Sequence, residues 1–467
     1  MTTDLTRTSE KLGWPTWRLA LVIVFGAFTS SLDASLTAIG LDTIGADLGS
    51  ELGLTQWVAS SYLLALAVSL PVSGWLGRRI GVGRLWLAAL TMFVVASGLC
   101  AAAPDVGSLI VLRVLQGLAG GLLVPAGQTV LGQAVGSHRL GRVMATLGIA
   151  VSLAPALGPV VGGLVLDNAS WRWLFAINVP IGVLGIALGL RYVPHGRPGP
   201  APRLDRLGLL LVSAGLPMLV LGLTEWSERR TLLTGGALGP LLIGTAALAW
   251  FLVHARRRRD PLLDLALFRN PVFAAATATG AVGGMLMFGT ALLFPLYFQL
   301  SQGDDVVTTG LRLLALGLGT AVALPFAGRS VDRFGGGPVA TAGSAACLVA
   351  TLPFAVLPTA SGPVLVQVQL AILGAATAFA VVPSGIAAYK TVTAAQLGDA
   401  TTIVNIVQRV GGALGSALFA VIVAGGLARG SADAFRPAFW AVVAAAVATL
   451  AAAVWLMTAQ RAESRRR

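Results

Sequence analysis

Long apolar stretches, separated by short polar loops, run through all 467 residues of this sequence. A helix needs about 20 consecutive apolar residues to cross a bilayer. The stretches of that length are 17–40, 56–76, 85–103, 108–131, 143–166, 173–193, 207–223, 232–253, 273–298, 309–327, 338–358, 363–389, 400–425 and 437–458. Because helices satisfy their backbone hydrogen bonds internally, these stretches predict an all-α polytopic membrane protein with fourteen transmembrane helices.

The composition agrees with this prediction and excludes several classes of function. Hydrophobic residues make up 56% of the chain, charged residues 11%, and the mean hydropathy is +0.83. The net charge of +13 comes from arginines clustered between apolar stretches, so it indicates topology rather than a nucleic-acid partner. The two cysteines lie in apolar stretches, and the three histidines lie in or beside loops. We therefore expect no metal site, no cofactor and no enzymatic activity.

The distribution of basic residues predicts the orientation of the chain. With the N-terminus inside, 24 of the 32 Lys and Arg residues fall in inner segments and six in outer ones. Basic residues favour the cytoplasmic side of short loops. The first span follows a polar segment without a convincing cleavage site, so we expect it to be retained. The sequence thus predicts a multi-pass protein of the cytoplasmic membrane with both termini in the cytoplasm.

An internal repeat divides the chain into two halves. Gly74-Trp-Leu-Gly-Arg78-Arg79-Ile-Gly81 follows the second span, and Gly328-Arg-Ser-Val-Asp332-Arg333-Phe-Gly335 follows the tenth, 254 residues later. A tight basic turn after a span is common by itself, but the matched position points to duplication. We predict a six-helix bundle over 1–193, two additional helices with linkers over 194–260, and a second six-helix bundle with a basic tail over 261–467. Duplicated halves around a midplane site are typical of secondary transporters.

Four motifs in sequence order carry a resemblance to a known family. They are the loop Gly74 to Arg84, Leu109-Ile-Val-Leu-Arg113-Val-Leu-Gln116-Gly117 in the fourth span, Gly158-Pro159-Val-Val-Gly162-Gly163 in the fifth, and Trp171 to Gly182 before the sixth. With them the sequence resembles the major facilitator superfamily, and within it the fourteen-span drug:proton antiporters of the EmrB/QacA type. The resemblance implies alternating access, with conformational motifs at Gly74, Arg78, Arg79, Gly81, Gly158, Pro159, Gly162, Gly163, Asp332 and Arg333.

The sequence also departs from the family pattern. Arg78 stands where members usually carry an acid, whereas the second half keeps Asp332. The latch that this acid usually makes with a facing helix N-terminus is therefore in question. In the first span, Ala38 and Asp42 stand where Asn and Pro are common. We expect Asp42 to lie in the outer headgroup region and to have no coupling role.

Asp33 is an acid inside the first apolar stretch, where an ionisable side chain is costly. Such an acid predicts a proton or cation site. By the helical rise, Asp33 lies about 10 Å from the outer end of its span, and Arg113 about 8 Å from the outer end of the fourth. We predict that the two form an intermittent pair that serves proton coupling. The alternative is a permanent structural ion pair.

The leading hypothesis is a monomeric, proton-coupled exporter of lipophilic, monocationic drugs or antibiotics. Deprotonated Asp33 would neutralise the drug, protonation would release it, and dications would be exported poorly. The expected partners are small lipophilic substrates, protons and membrane lipids, and the expected energy source is the proton gradient. Arg409 either binds anionic groups of a substrate or caps polar groups between helices. The predicted pocket residues are Gln56, Trp57, Tyr62, Gln116, Phe288, Phe294, Tyr297 and Arg409.

Two other functions fit the sequence. The chain could export one native lipid or secondary metabolite, with drugs as incidental cargo, and the sequence does not separate this from drug export. It could also be a membrane scaffold that transports nothing, which the altered loop at Arg78 would favour and the retention of Asp33 and Arg113 disfavours.

Overall fold

The computed structural model describes residues 13–136, 140–196, 198–199, 203–229, 235–356, 362–428 and 434–466, and every regular element in these ranges is helical. The first half contains α1 (Trp14–Asp47), α2 (Leu52–Thr55), α3 (Trp57–Ser69), α4 (Ser73–Ile80), α5 (Val82–Ala101), α6 (Val106–Val135), α7 (Leu140–Asn168), α8 (Trp173–Ala176) and α9 (Asn178–Tyr192). Two further helices, α10 (Arg206–Arg229) and α11 (Gly235–Arg257), follow. The second half contains α12 (Pro271–Leu300), α13 (Val306–Phe334), α14 (Gly336–Val356), α15 (Pro363–Lys390), α16 (Leu397–Ala428) and α17 (Arg436–Arg466).

Thirteen spans in the described ranges are long and apolar enough to cross a membrane. Helix α7, whose side chains are described only in part, covers the position of the remaining predicted span. Helices α1, α6, α12, α13, α16 and α17 extend at both ends beyond the apolar stretches that predict them. The second span is interrupted by a short 3-10 turn at Leu70–Val72, which contains Pro71. Proline removes a backbone donor, so a local change of helical pitch is expected there.

Side-chain caps and glycine turns fix where several helices begin and end. Asp105 accepts a hydrogen bond from the Ser108 N–H, and Asp305 accepts one from the Thr308 N–H, which start α6 and α13. The repeated loops end at Gly81 and Gly335, whose φ angles of 93° and 86° are disfavoured for residues with a side chain. The sequence repeat is therefore a structural repeat, with a tight turn after α4 and another after α13.

The two halves meet through a few helix pairs. Helix α7 packs against α13, and α16 packs against α4 and α6. Arg78, Arg142, Arg258, Arg333 and Lys390 lie at one end of the bundle, called here the basic end. Helix α10 packs against α3 and α16, while the principal contacts of α11 are with α10. The additional pair is therefore a hairpin at the side of the bundle rather than a part of either half.

Asp205 connects this hairpin to the second half at the basic end. Its buried carboxylate accepts hydrogen bonds from the Gly208 N–H (3.0 Å) and the Leu262 N–H (3.3 Å). It also contacts His254 Nε2 at 2.9 Å and Arg258 Nη1 at 3.4 Å. Burial opposes the ionisation of this carboxyl, but the Gly208 N–H, His254 and Arg258 outweigh it and hold the pKa of Asp205 below its ordinary value. The ionised form is thus the form that joins these segments.

We expect Asp205→Asn to destabilise the protein by about 1–3 kcal/mol, since hydrogen bonds from a charged network are lost. A carboxyl with a lowered pKa in the folded state stabilises above its ordinary value of 3.8, and this contribution disappears as the pH falls through the lower folded value. In detergent, the unfolding temperature of the wild type should therefore be higher than that of the variant near neutral pH. In acid the two unfolding temperatures should become equal. Asp260→Asn, at an exposed position, is the control. A difference in unfolding temperature that persists in acid would contradict the assignment of Asp205 as an ionised carboxylate that joins these segments.

Candidate functional site

Asp33 lies at the centre of a buried polar network between α1, α5, α6 and α9. Its Oδ2 accepts a hydrogen bond from Arg113 Nη1 at 2.5 Å. Its Oδ1 accepts from Gln116 Nε2 at 2.8 Å and from Asn178 Nδ2 at 2.7 Å. Ser97 Oγ accepts from the same two amides at 3.1 and 3.0 Å. Asp33 is 0% exposed and Arg113 1%. The predicted proximity of the two charges is confirmed, and in this conformation the carboxylate has three side-chain donors.

The position of Arg113 depends on the close approach of α6 to α3. Arg113 Nε donates to the Val58 carbonyl at 2.9 Å, and Nη1 also donates to Gln116 Oε1 at 2.7 Å. Its guanidinium lies 4.1 Å from the centre of the Tyr62 ring. Gly117 permits this packing, because a Cβ there would overlap the backbone of Tyr62. Arg113 and Gln116, three residues apart, share one face of α6 and reach Asp33 together.

Tyr62 of α3 extends the network from Arg113 to α1. Its hydroxyl is 2.9 Å from Ser30 Oγ and donates to the Ser30 carbonyl at 3.2 Å. The side chain is 1% exposed. Tyr62 is one of the predicted pocket residues, and in this conformation it lies buried beside the Arg113 guanidinium. A cation over an aromatic face adds about 0.5–2 kcal/mol of attraction.

Two members of this network, Ser97 and Asn178, are missing from the predicted site. Asn178 carried a usable signal, since it is an amide near the start of the sixth apolar stretch, where an unpaired polar side chain is costly. Ser97 carried none, because a serine in a membrane helix commonly bonds its own backbone. Here its hydroxyl donates to the Phe175 carbonyl at 3.0 Å.

Both repeated loops contact the opposite half at the N-terminus of a helix. Asp332 accepts hydrogen bonds from the N–H groups of Gly141 (3.1 Å) and Arg142 (3.3 Å) at the start of α7. In the first half Arg78 Nη1 lies 2.6 Å from Asp399 Oδ1, in the first turn of α16. An acid near a helix N-terminus is favourable. The latch that Arg78 placed in question is therefore present with its charges exchanged.

The other motif residues lie close to these contacts or to α1. Gly74 lies against Gly398 and Asp399, whereas the guanidinium groups of Arg79 and Arg333 lie over Trp75 and Phe334 of their own loops. Gly158 and Gly162 in α7 face Ser35 and the pair Leu36 and Ile39 of α1, and a Cβ at Gly163 would meet open space. The side chain of Pro159 lies outside the described residues.

The remaining predicted pocket residues do not form one surface. Gln56 and Trp57 are exposed at the end opposite the basic one, and Gln116 is part of the Asp33 network. Phe294 and Tyr297 are buried in an aromatic cluster of the second half, with Phe298, Phe354, Phe435 and Phe439. They offer almost no surface to a substrate in this conformation. Phe288, 38% exposed, and Arg409, partly exposed, keep accessible surface.

The hydrogen bonds and ion pairs that join the two halves in the described ranges lie toward the basic end. In addition to the two loop contacts, Thr129 Oγ1 lies 3.0 Å from Thr401 Oγ1, and Asn405 Nδ2 donates to Gln128 Oε1 at 2.7 Å. Tyr389 adds a longer contact to Gln128, 3.4 Å. These contacts join the two halves and close the basic end.

Comparison with known proteins agrees with this architecture. The family model described as Major Facilitator Superfamily matches residues 23–416. A multidrug resistance protein B homolog of Mycobacterium tuberculosis is 34% identical over 409 residues, 87% of this chain and 76% of that protein.

Solved structures show the same fold at lower sequence identity. The proton:xylose symporter XylE matches with a TM-score of 0.63 and 15% identity, over 92% of this chain and 94% of its own. A double-tryptophan mutant of XylE matches with a TM-score of 0.67 and 16% identity over the same shares. The chain is thus a multi-pass membrane transporter rather than an enzyme, and it belongs to the major facilitator superfamily.

Proposed function

We propose that this protein exports lipophilic drugs across the cytoplasmic membrane in exchange for protons. The name of the Mycobacterium tuberculosis relative supports drug export. The observation that supports proton coupling is the buried Asp33 carboxylate, which contacts Arg113, Gln116 and Asn178. Within the described spans, Asp33 is the one acid that lies far from a helix end. Buried acids in membrane helices commonly carry protons.

In the proposed orientation the basic end faces the cytoplasm, as the distribution of Lys and Arg predicts. The contacts at that end would then close the cytoplasmic side, as an outward-facing conformation of the proposed cycle requires. A proton arriving from outside neutralises Asp33 and removes its attraction to Arg113. Because the network joins α1, α5, α6 and α9 of the first half, protonation changes their packing and favours the inward-facing conformation. Proton release to the cytoplasm restores the ion pair and resets the cycle.

The preference for monocations depends on direct contact between the substrate and Asp33. Asp33 has no exposed surface in this conformation, and its three donors already satisfy it. Direct neutralisation of a drug would first require the Arg113 contact to break. The substrate charge therefore stays a prediction, separate from the assignment of Asp33 as the proton carrier.

We expect Asp33→Asn to abolish uptake of ethidium into inverted membrane vesicles driven by a pH gradient, because the amide cannot exchange a proton. The uptake should fall to that of vesicles without the protein. Asp42→Asn is the matched control, since Asp42 is an exposed acid on the same helix. Equal pH-driven uptake by wild type and Asp33→Asn would remove Asp33 from the mechanism.

A further inference from the structure

Arg409 is a cation deep in the membrane without a partner in the described part of the chain. It lies twelve residues after the start of α16, about 18 Å along the helix. No hydrogen bond or ion pair joins its guanidinium to any described residue. The side chain keeps part of its surface. It therefore does not cap polar groups between helices in this conformation.

The face of α16 that carries Arg409 points toward the first half. Thr401 and Asn405 precede it by two turns and one turn on the same face, and both contact α6. Arg409 thus follows directly after the last contact that closes the basic end. It is also near enough to Tyr62 for an electrostatic interaction. These relations place the guanidinium where the two halves face each other, one turn beyond the contacts that join them at the basic end.

The charges of the interior do not balance without a further group. The charged side chains of the described spans lie near helix ends, apart from Asp33, Arg113 and Arg409. Asp33 and Arg113 compensate each other at 2.5 Å, which leaves Arg409 as an excess positive charge. An uncompensated charge at this depth is costly, and an anion beside it would remove that cost. The ring of Phe288, 38% exposed, packs against Gly412 on the next turn of α16 and adds apolar surface.

We infer that Arg409 binds the anionic group of the substrate, so that the exported compounds include lipophilic carboxylates or sulfonates. This inference rests on the proposed function and names its substrate class. The guanidinium pairs with the acidic group of the ligand, and the apolar body of the ligand lies against Phe288. Asp33 then carries the proton without contacting the substrate. Export of a monoanion against entry of one proton moves two charges in the same direction, so the membrane potential contributes to transport.

Binding of two related dyes to the purified full-length protein in nanodiscs tests the inference. Fluorescein is anionic and rhodamine 123 is cationic, and they share a xanthene ring system. We expect Arg409→Gln to weaken fluorescein binding about tenfold or more, since a charge-assisted hydrogen bond is lost. Arg409→Lys should restore most of the affinity. Rhodamine 123 binding should not weaken, because a repulsive charge is removed.

The matched control is Arg312→Gln, since Arg312 is paired with Asp304 at the opposite end of the bundle. This variant should leave fluorescein affinity unchanged. Loss of both dyes in Arg409→Gln would indicate a purely structural role and overturn the inference, as would a wild type that does not bind fluorescein. Displacement of fluorescein by phosphatidylglycerol in the nanodisc would assign the site to a lipid headgroup and overturn it as well.

Transport separates this inference from the proposed function. In energised inverted vesicles, nigericin collapses the pH gradient and leaves the membrane potential. We expect fluorescein uptake by wild type to persist in part under nigericin. Dye binding that depends on Arg409 without any proton-driven transport would overturn the proposed function but not the binding site. Proton-driven transport of rhodamine 123 but not of fluorescein would support the proposed function and overturn the inference.

Discussion

Replacing Arg113 with glutamine should destabilise the protein by about 3–5 kcal/mol, because it leaves the Asp33 carboxylate buried without its counter-charge. Asp33 is 0% exposed, and its remaining donors are the amides of Gln116 and Asn178. Neutral amide donors do not compensate a full charge in a low-dielectric interior. Reversible unfolding in mixed micelles measures the loss directly.

The double variant Asp33→Asn with Arg113→Gln shows whether the instability comes from the lost ion pair or from the lost packing of the Arg113 side chain. With both charges removed, the two amides can hydrogen-bond to each other, and we expect most of the stability to return. Proton-coupled transport should remain absent, since nothing at the site titrates. A double variant as unstable as the single one would show that Arg113 matters for its packing against Tyr62 rather than for its charge.

The second large effect concerns the loop at Arg78. Restoring the acid that is usual in the family, by Arg78→Asp, should impair transport here. Asp399 occupies the first turn of α16 only 2.6 Å from the present arginine, so two carboxylates would meet at the basic end. Repulsion between them should shift the equilibrium between the closed and open forms of that end by about 1–3 kcal/mol, or about 5–150-fold.

Removal of Asp399 should reverse this defect. In the double variant Arg78→Asp with Asp399→Ala, the new acid can face the N-terminus of α16 as Asp332 faces that of α7. Labelling of a single cysteine introduced at the basic end would report its opening in the single variant and its closure in the double one. Failure of Asp399→Ala to rescue would show that the exchanged charges do not form the latch.

The fold could be predicted from the sequence because hydropathy, the placement of charges and the loop repeat can each be read from short segments. Together they indicate the number of spans, their orientation and the two halves. The proximity of Asp33 and Arg113 was also predictable, since the helical rise places both residues at similar distances from the outer ends of their predicted spans. The pocket was not, because rotation about a helix axis decides whether Phe294 faces a substrate or the cluster with Phe439, and all-apolar helices carry no periodic signal of that rotation.

The charge exchange at the first loop illustrates a second limit of the sequence. Arg78 by itself only put the latch in question, and its partner lies 321 residues away. Asp399 lies at the end of an apolar stretch, where an acid costs little free energy. Its position in the first turn of a helix has an ordinary explanation, since an acid is favourable near a helix N-terminus. Only the packing of α16 against α4 brings the two residues together.

The hairpin of α10 and α11 has a consequence for how such a chain arises and is assembled. Because two spans cross the bilayer in opposite directions, inserting or deleting the pair leaves the sidedness of everything that follows unchanged. A single inserted helix would invert the second half and separate the two loops that meet their partners at one end. Since α11 packs mainly against α10, it can also find its principal partner before the second half, which follows in the chain, enters the membrane.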